Sequence, residues 1–444
     1  MPTPRPVPSD YPTVEHVSIR GFKSIANLEL DLPRFSVFVG ANGAGKTNLV
    51  QAIGLLGDLV MTGSTTPLRD VGGTDAFRKG TAGPVTMTLA ARLHVPDAWQ
   101  QTSGLTFPNM RGKGDTDGRI DLGLTLLYDA TAGVVQVEDE WLSIRSQGMK
   151  SAGMEWRAVA GGEPRLQFDD RWFQRVGAGG GSHIEWLRWQ VAESQGGWKV
   201  ARPRSRGEDS GLQVLEGNLM RFWGIADALS VRTVRLGASE LRTPGGAAFV
   251  EGAWDAQTGR GLASAVDSLV FRDGHRTRAL DNIVRNLRAI HPRIEDIRTV
   301  KESVTRTVLQ FKERGIDEWL DQGSVSDGVL HALALLLAIE MGGPGILAVE
   351  EPENALHPWA ARMLVDIAKA SPSQVLMTTH SQAVVDALAD PESLFLVDQG
   401  DEGTHVEQAL HREEALATIL RESGQRLGEV WIDGSLGAVP GSEP

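Results

Sequence analysis

The chain has 444 residues, 41% of them apolar, and it contains no cysteine. That length supports two or three folding units around a sizeable core, and the missing thiols exclude disulfides, thiolate chemistry and zinc–cysteine sites. A net charge of −13 excludes a uniformly basic surface that coats nucleic acid, although not a local basic patch.

In chain order, residues 1–12 (MPTPRPVPSDYP) are proline-rich and lack an apolar core. They are expected to be a disordered tail and not a signal peptide. Residues 14–19 and 28–32 have strand patterns. Residues 35–53 read FSVFVGANGAGKTNLVQAI. An apolar run with β-branched Val37 and Val39 enters a glycine-rich loop, and the loop opens into an amphipathic helix. Gly40, Gly45, Lys46 and Thr47 match the phosphate-loop spacing G-x-x-x-x-G-K-[ST]. Glycines let successive backbone N–H groups turn toward phosphate oxygens, and the helix start adds its positive end. Lys46 can reach the β- and γ-phosphates, and the Thr47 hydroxyl can ligate Mg²⁺. A chance glycine-rich turn is the alternative, and the strand–loop–helix context argues against it.

Residues 68–80 (LRDVGGTDAFRKG) are expected to form a solvated loop. From residue 83 to about 200 the pattern changes. VTMTLAARLHV, RIDLGLTLLY, VVQVEDEWLSI and HIEWLRWQV alternate with glycine and proline clusters, as antiparallel strands and hairpins do. Seven tryptophans fall in this part. Core and cross-strand packing is their expected use, ahead of base stacking. No heptad is sustained, which argues against a long coiled-coil arm. Residues 215–229 and 261–271 look helical. Residues 277–290 (TRALDNIVRNLRAI) place arginines opposite an apolar stripe. Arg272, Arg276, Arg278, Arg285, Arg288 and Arg293 cluster there, and a solvated helix face is expected ahead of a phosphate-facing patch. Residues 304–311 read as a strand.

Residues 323–330 (GSVSDGVL) precede a nearly all-apolar helical run. Ser326 can cap that helix, and Gly328 lets the backbone approach a phosphate, so a second N-terminal anion trap is expected. The run's strongly apolar part, 329–339, is too short to span a bilayer, and a cytoplasmic protein with no membrane partner is expected. Residues 345–358 (GILAVEEPENALHP) form an apolar strand that ends in Glu350 and Glu351. Successive strand residues face opposite ways, so one carboxylate can hold an Mg²⁺ shell while the other polarises a water. Residues 374–381 (QVLMTTHS) are a second buried strand, ending in His380. Open α/β sheets place ligands at that end, where His380 could contact a γ-phosphate or the attacking water. Asp398 and Asp401 in VDQGDEG read as a turn between strands, not a metal pair.

GANGAGKTN, SVSDGVL, LAVEEPENALHP and TTHS, in that order, resemble the Walker A, signature, Walker B with D-loop, and switch-histidine motifs of ABC-type ATPases. IRGFKSIANLEL resembles the N-terminal strand pair of the RecF/OLD-like branch. The tail LGEVWIDGSLG resembles a bacterial "predicted ATPase" (AAA family ATPase) family of that branch without a nuclease domain. The resemblance spans residues 14–437 and is weakest over 96–211. It implies an α/β P-loop NTPase fold: an ABC ATPase head with a mixed central sheet flanked by helices, and a β-rich insertion. Residues 13–95 would form a lobe with Walker A, 96–210 the insertion, and 211–444 a lobe with the signature, Walker B and switch histidine.

ATP and Mg²⁺ are the implied cofactors. Gly40, Ala41, Asn42, Gly43, Ala44, Gly45, Lys46, Thr47 and Asn48 would wrap the triphosphate. Thr47 and Glu350 would hold Mg²⁺, Glu351 would be the general base and His380 would sense the γ-phosphate. Ser326, Asp327 and Gly328 would contact ATP on a second protomer, which implies an ATP-sandwiched, head-to-tail homodimer. Glu350 stands where most ABC ATPases have aspartate, Asp327 and Val329 replace transporter-type signature residues, and only Gln101 and Gln136 are candidates for the Q-loop. The 64 residues after His380 are expected to be too few for an OLD-type nuclease domain. The implied function is ATP binding and hydrolysis in DNA maintenance or repair, with DNA as a partner. The alternative is an ATP-gated switch or scaffold controlling a separately encoded effector, for example in phage defence. A transporter subunit is disfavoured by the SDG signature and the long insertion.

Overall fold

The computed structural model describes residues 11–62, 64–78, 85–96, 118–146, 154–160, 165–168, 191–194, 197–200, 225–236, 238–246, 254–255, 257–270, 277–303, 306–388, 391–412 and 425–435. In chain order, β1 (Thr13–Phe22), β2 (Ile25–Asp31) and β3 (Phe35–Val39) lead into α1 (Lys46–Thr62). Then come β4 (Val85–Val95), β5 (Gly118–Asp129), β6 (Val134–Ser146), β7 (Met154–Val159), β8 (Arg165–Phe168), β9 (Val191–Ser194) and β10 (Gly197–Val200). The chain continues with α2 (Ile225–Leu229), β11 (Val231–Val234), α3 (Ala238–Leu241), β12 (Gly245–Gly246), α4 (Leu262–Val270) and α5 (Arg278–Ile290). Next are β13 (Ile294–Ser303), β14 (Arg306–Glu313), β15 (Trp319–Asp321), α6 (Asp327–Glu340), β16 (Ile346–Glu350) and α7 (Pro358–Lys369). β17 (Gln374–Thr379), α8 (Gln382–Val385), β18 (Leu394–Gly400), β19 (Gly403–Gln408) and α9 (Leu427–Ile432) follow.

The central sheet has the order β11-β16-β17-β3-β18-β19. β11, β16, β17, β3 and β18 pair in parallel, and β19 joins antiparallel, so the sheet is mixed, as expected. Both faces are covered, and the period of two explains how. On β3, Phe35, Val37 and Val39 face a core shared with α4–α8, while Phe38 faces the core around α1. Leu347, Val349, Val375 and Met377 join the first core; Ile346 and Leu376 join the second. α6 is buried at every residue from Val329 to Ile339 except His331. A helix that is apolar on all sides needs such a position.

On the other side of α1 lies an antiparallel sheet, β2-β1-β4-β5-β6-β7-β8-β10-β9. β5 pairs with β4 along its length, Val85 opposite Tyr128 and Val95 opposite Gly118. The strands after residue 96 therefore continue the sheet begun by β1, β2 and β4. Trp141 packs across the strands: a Cβ at Gly123 would lie 2.4 Å from its ring. A smaller sheet, β12-β14-β13 with β15 on β14, lies beside α4 and α5. β13 had no clear strand signal. Its burial pattern shows little alternation, with Ile294 and Ile297 inward, so its backbone pairing with β14 decides its conformation. Among the described residues no helix is long and apolar enough to cross a membrane.

Several expectations fall wholly or partly outside the described residues: the tail over 1–10, HIEWLRWQV over 183–190, the helix over 215–224, Gln101, Arg272 and Arg276. The expected Val304 start of β14 is also outside. One expectation is overturned. Residues 66–76 form two 3₁₀ segments, Thr66–Val71 and Gly73–Ala76, and are not a solvated loop. Leu68, Ala76 and Phe77 are buried, and Phe77 bridges to Phe22. The apolar residues lack a helical or strand period, so they resemble a loop in sequence, yet they pack into the α1 core. Phe77→Ala should lower stability by about 3–5 kcal/mol, the usual cost of a large cavity. Urea unfolding tests this; a change below about 0.5 kcal/mol would restore the solvated-loop reading.

Candidate functional site

The loop after β3 passes through a confined space. A Cβ at Gly40 would sit 2.0 Å from the Val397 carbonyl oxygen, and one at Gly45 would sit 2.0 Å from Thr404 Oγ1. Gly45 also has φ +105°, so only glycine meets both its steric and its backbone demands. Ala44 N–H donates to Ala41 O, and Leu49 N–H donates to Gly45 O to begin α1. The Lys46 ammonium, 6% exposed, donates to Gly40 O at 2.8 Å and Ala41 O at 2.9 Å. Burial lowers its pKa from the ordinary value, and Glu351 and Glu353 oppose that fall. Thr47 follows on the first turn, half-buried. Asn48 Nδ2 donates to Ser24 Oγ at 2.7 Å, as does Thr404 Oγ1. Ser24, in the turn between β1 and β2, thus ties the start of α1 to β19.

The carboxyl ends of β16 and β17 lie beside this loop. Glu350 ends β16 with its side chain 8% exposed, and Arg235 Nε, just after β11, lies 3.8 Å from its Oε2. Burial raises the Glu350 pKa most; Arg235 opposes the rise and Glu351 adds to it. Glu351 has a left-handed backbone, φ +45°, rare outside glycine. Its N–H donates to Thr378 O, and Asn354 Nδ2 donates to its Oε2 at 2.9 Å. Glu351 Oε1 lies 3.7 Å from His380 Nδ1.

Glu353 was not singled out from the sequence, yet it organises this corner. Its Oε1 accepts the Thr379 hydroxyl at 2.6 Å and the His380 N–H at 2.9 Å, and His380 Nδ1 is 3.5 Å away. Its Oε2 is buried with no hydrogen-bond partner among the described residues. Lys46, Glu351, Glu353 and His380 therefore converge. The signature segment does not join them. Ser326 precedes α6 with extended backbone, but its side chain makes no capping hydrogen bond, contrary to the simple cap expected. Asp327 is paired with Arg242 at 2.6 Å. No hydrogen bond or ion pair among the described residues links Ser326, Asp327 or Gly328 to residues 40–48, Glu350, Glu351 or His380.

Two family models match the chain. One, described as "AAA domain, putative AbiEii toxin, Type IV TA system", covers residues 248–386, and the other, "AAA domain", covers 16–85. The "DNA replication and repair protein RecF" of Anaeromyxobacter sp. (strain Fw109-5) is 24% identical over 399 residues, 86% of this chain and 96% of that protein. These matches support a P-loop ATPase that is similar to RecF. RecF of Kineococcus radiotolerans is 53% identical over 47 residues, 10% of this ATPase and 12% of that protein. A chain in the crystal structure of an Smc head bound to the C-winged helix domain of ScpA is 14% identical, with a TM-score of 0.49, covering 89% of this ATPase and 97% of that chain.

Lys46→Ala removes the buried ammonium of the loop. ATP affinity should fall at least about tenfold, equivalent to about 1.4 kcal/mol, from the loss of charge-assisted contacts. Isothermal calorimetry checks this, and equal affinity would refute a phosphate role for Lys46. Glu353→Ala leaves the Thr379 hydroxyl and the His380 N–H without their acceptor. It should cost about 1–3 kcal/mol in urea unfolding, and a neutral change would show that these bonds are dispensable.

Proposed function

We propose that this ATPase binds Mg²⁺-ATP in the loop 40–48, hydrolyses it with Glu351 as general base, and uses bound ATP to join two copies head-to-tail. The observation that carries the reading is the convergence of Lys46, Glu351 and His380 at the carboxyl ends of three adjacent parallel strands, β3, β16 and β17. Residues 40–48 supply backbone N–H groups and the Lys46 charge to the triphosphate. Glu351, turned by its left-handed backbone toward His380, takes a proton from the attacking water. His380, 41% exposed at its side chain, meets the γ-phosphate.

The donor set fits Mg²⁺. Mg²⁺ takes one or two protein oxygens together with phosphates and waters, and a hydroxyl and a carboxylate supply them here. Thr47 and Glu350 would hold it, and a buried carboxylate whose ionised form burial disfavours gains from a cation. Held there, the ion would supply charge neutralisation to the phosphate oxygens.

The two-copy arrangement is supported by the exposed Ser326 and Asp327, which among the described residues share no hydrogen bond or ion pair with residues 40–48, Glu350, Glu351 or His380. A role in DNA maintenance is supported by the names of the RecF relatives. Four arginines of α5 and its surroundings are engaged within the chain: Arg285 with Asn282, Arg288 with the Glu295 carbonyl, Arg293 with Glu313 and Arg314 with Glu295. They fit the solvated helix face read from the sequence better than a free phosphate-facing patch.

Glu351→Gln keeps the side chain's shape and removes its basicity. ATP should still bind, and hydrolysis should fall by about a hundredfold or more. Light scattering with ATP and Mg²⁺ should then show a persistent dimer. Wild-type turnover would mean that another carboxylate is the base, and a protein that binds ATP yet stays monomeric would end the two-copy reading.

A further inference from the structure

Arg242, immediately after α3, commits its whole guanidinium to the signature segment. Nε and Nη2 donate to Asp327 Oδ1 at 3.0 and 2.6 Å. Nη1 donates to Gln322 O at 3.3 Å and Gly323 O at 2.8 Å, and Nη2 donates also to Val325 O at 2.9 Å. These carbonyls lie in the turn between β15 and α6. A guanidinium is planar and presents its donors in a fixed fork, so it selects one arrangement of the turn.

We propose that Arg242 is the positioning residue of the signature segment, and that Asp327 is its counter-ion and not a nucleotide contact. This rests on the reading that the segment meets ATP across a two-copy interface. A free carboxylate at that interface would repel a triphosphate. Paired with Arg242, Asp327 is neutralised. The groups left to meet an anion are the Ser326 hydroxyl, which is not spent on capping, and the first N–H groups of the 14-residue α6. Arg242 thus does two things at once. It shapes the turn that presents Ser326, and it removes the charge that would oppose ATP.

The test uses the Glu351→Gln protein as parent and adds Arg242→Met, Arg242→Lys or Asp327→Asn. Calorimetry reads ATP affinity, light scattering reads the ATP-dependent dimer, and hydrogen exchange reads the amides of residues 322–330. Arg242→Met should leave ATP affinity within about twofold, weaken the dimer about tenfold or more (about 1.4 kcal/mol), and speed exchange across 322–330. Arg242→Lys, which keeps the charge but not the fork, should fall between. Asp327→Asn should change the dimer by less than about threefold, since the three carbonyl contacts remain. An Arg242→Met protein that dimerises and exchanges like the parent overturns the proposal. So does an Asp327→Asn protein as defective as Arg242→Met, which would place Asp327 on the nucleotide. If the parent itself stays monomeric with ATP, the two-copy reading fails separately, and exchange still decides whether Arg242 holds the turn.

Discussion

The site depends on the parallel register of three strands. Glu350 of β16 pairs with Thr378 of β17, and Thr379 of β17 pairs with Val39 of β3. Three chain segments far apart in sequence therefore end at one level, and each delivers its next residues into the same space. Parallel pairing requires crossovers outside the sheet plane, and helices on both faces supply them. The continuous apolar runs of β3, β16 and β17 are the sequence counterpart of that burial. A slip of one residue in any of them would turn its side chains to the opposite face and separate Lys46 from Glu351 and His380.

The phosphate loop is held from outside as well as by its own glycines. The β18–β19 hairpin approaches closely enough that Gly40 and Gly45 have no room for a Cβ. Ser24 joins Asn48 and Thr404 in one hydrogen-bonded cluster, and Arg78 donates to the carbonyls of Ser24 and Glu402. The turn after β1, the segment ending in Arg78 and the hairpin thus brace the N-terminus of α1 together. This explains why Leu68, Ala76 and Phe77 are buried: they complete the wall behind the loop. The antiparallel sheet lies against the other side of α1.

Each charge at the site has an opposite charge beside it. Lys46 faces Glu351 and Glu353, Glu350 faces Arg235, and Asp327 faces Arg242. Each group includes at least one residue singled out from the motifs and one that was not. The unnamed partners decide how far the named groups are exposed and which way they point. Glu353 shows this directly, because its carboxylate accepts both a side-chain and a backbone donor at the end of β17.

The phosphate loop, the strands that end in Glu350 and Thr379, the signature helix and the alternating strands from β4 to β6 were legible in the sequence, because each is encoded by contiguous residues. A glycine-rich turn, an apolar run or a period of two is a local property of the backbone and needs no partner to be seen. The packed segment around Phe77, the strand β13, the continuity of the antiparallel sheet past residue 96, and the roles of Glu353, Arg235 and Arg242 were not legible. Arg242 and Asp327 are 85 positions apart, and neither has a periodicity that marks it. Their pairing arises in the fold, where the chain after β11 meets the start of α6. The sequence by itself determined which residues could touch a phosphate. The tertiary structure decided which charges stand beside them, because electrostatic pairing follows distance in space and local sequence carries no record of that distance.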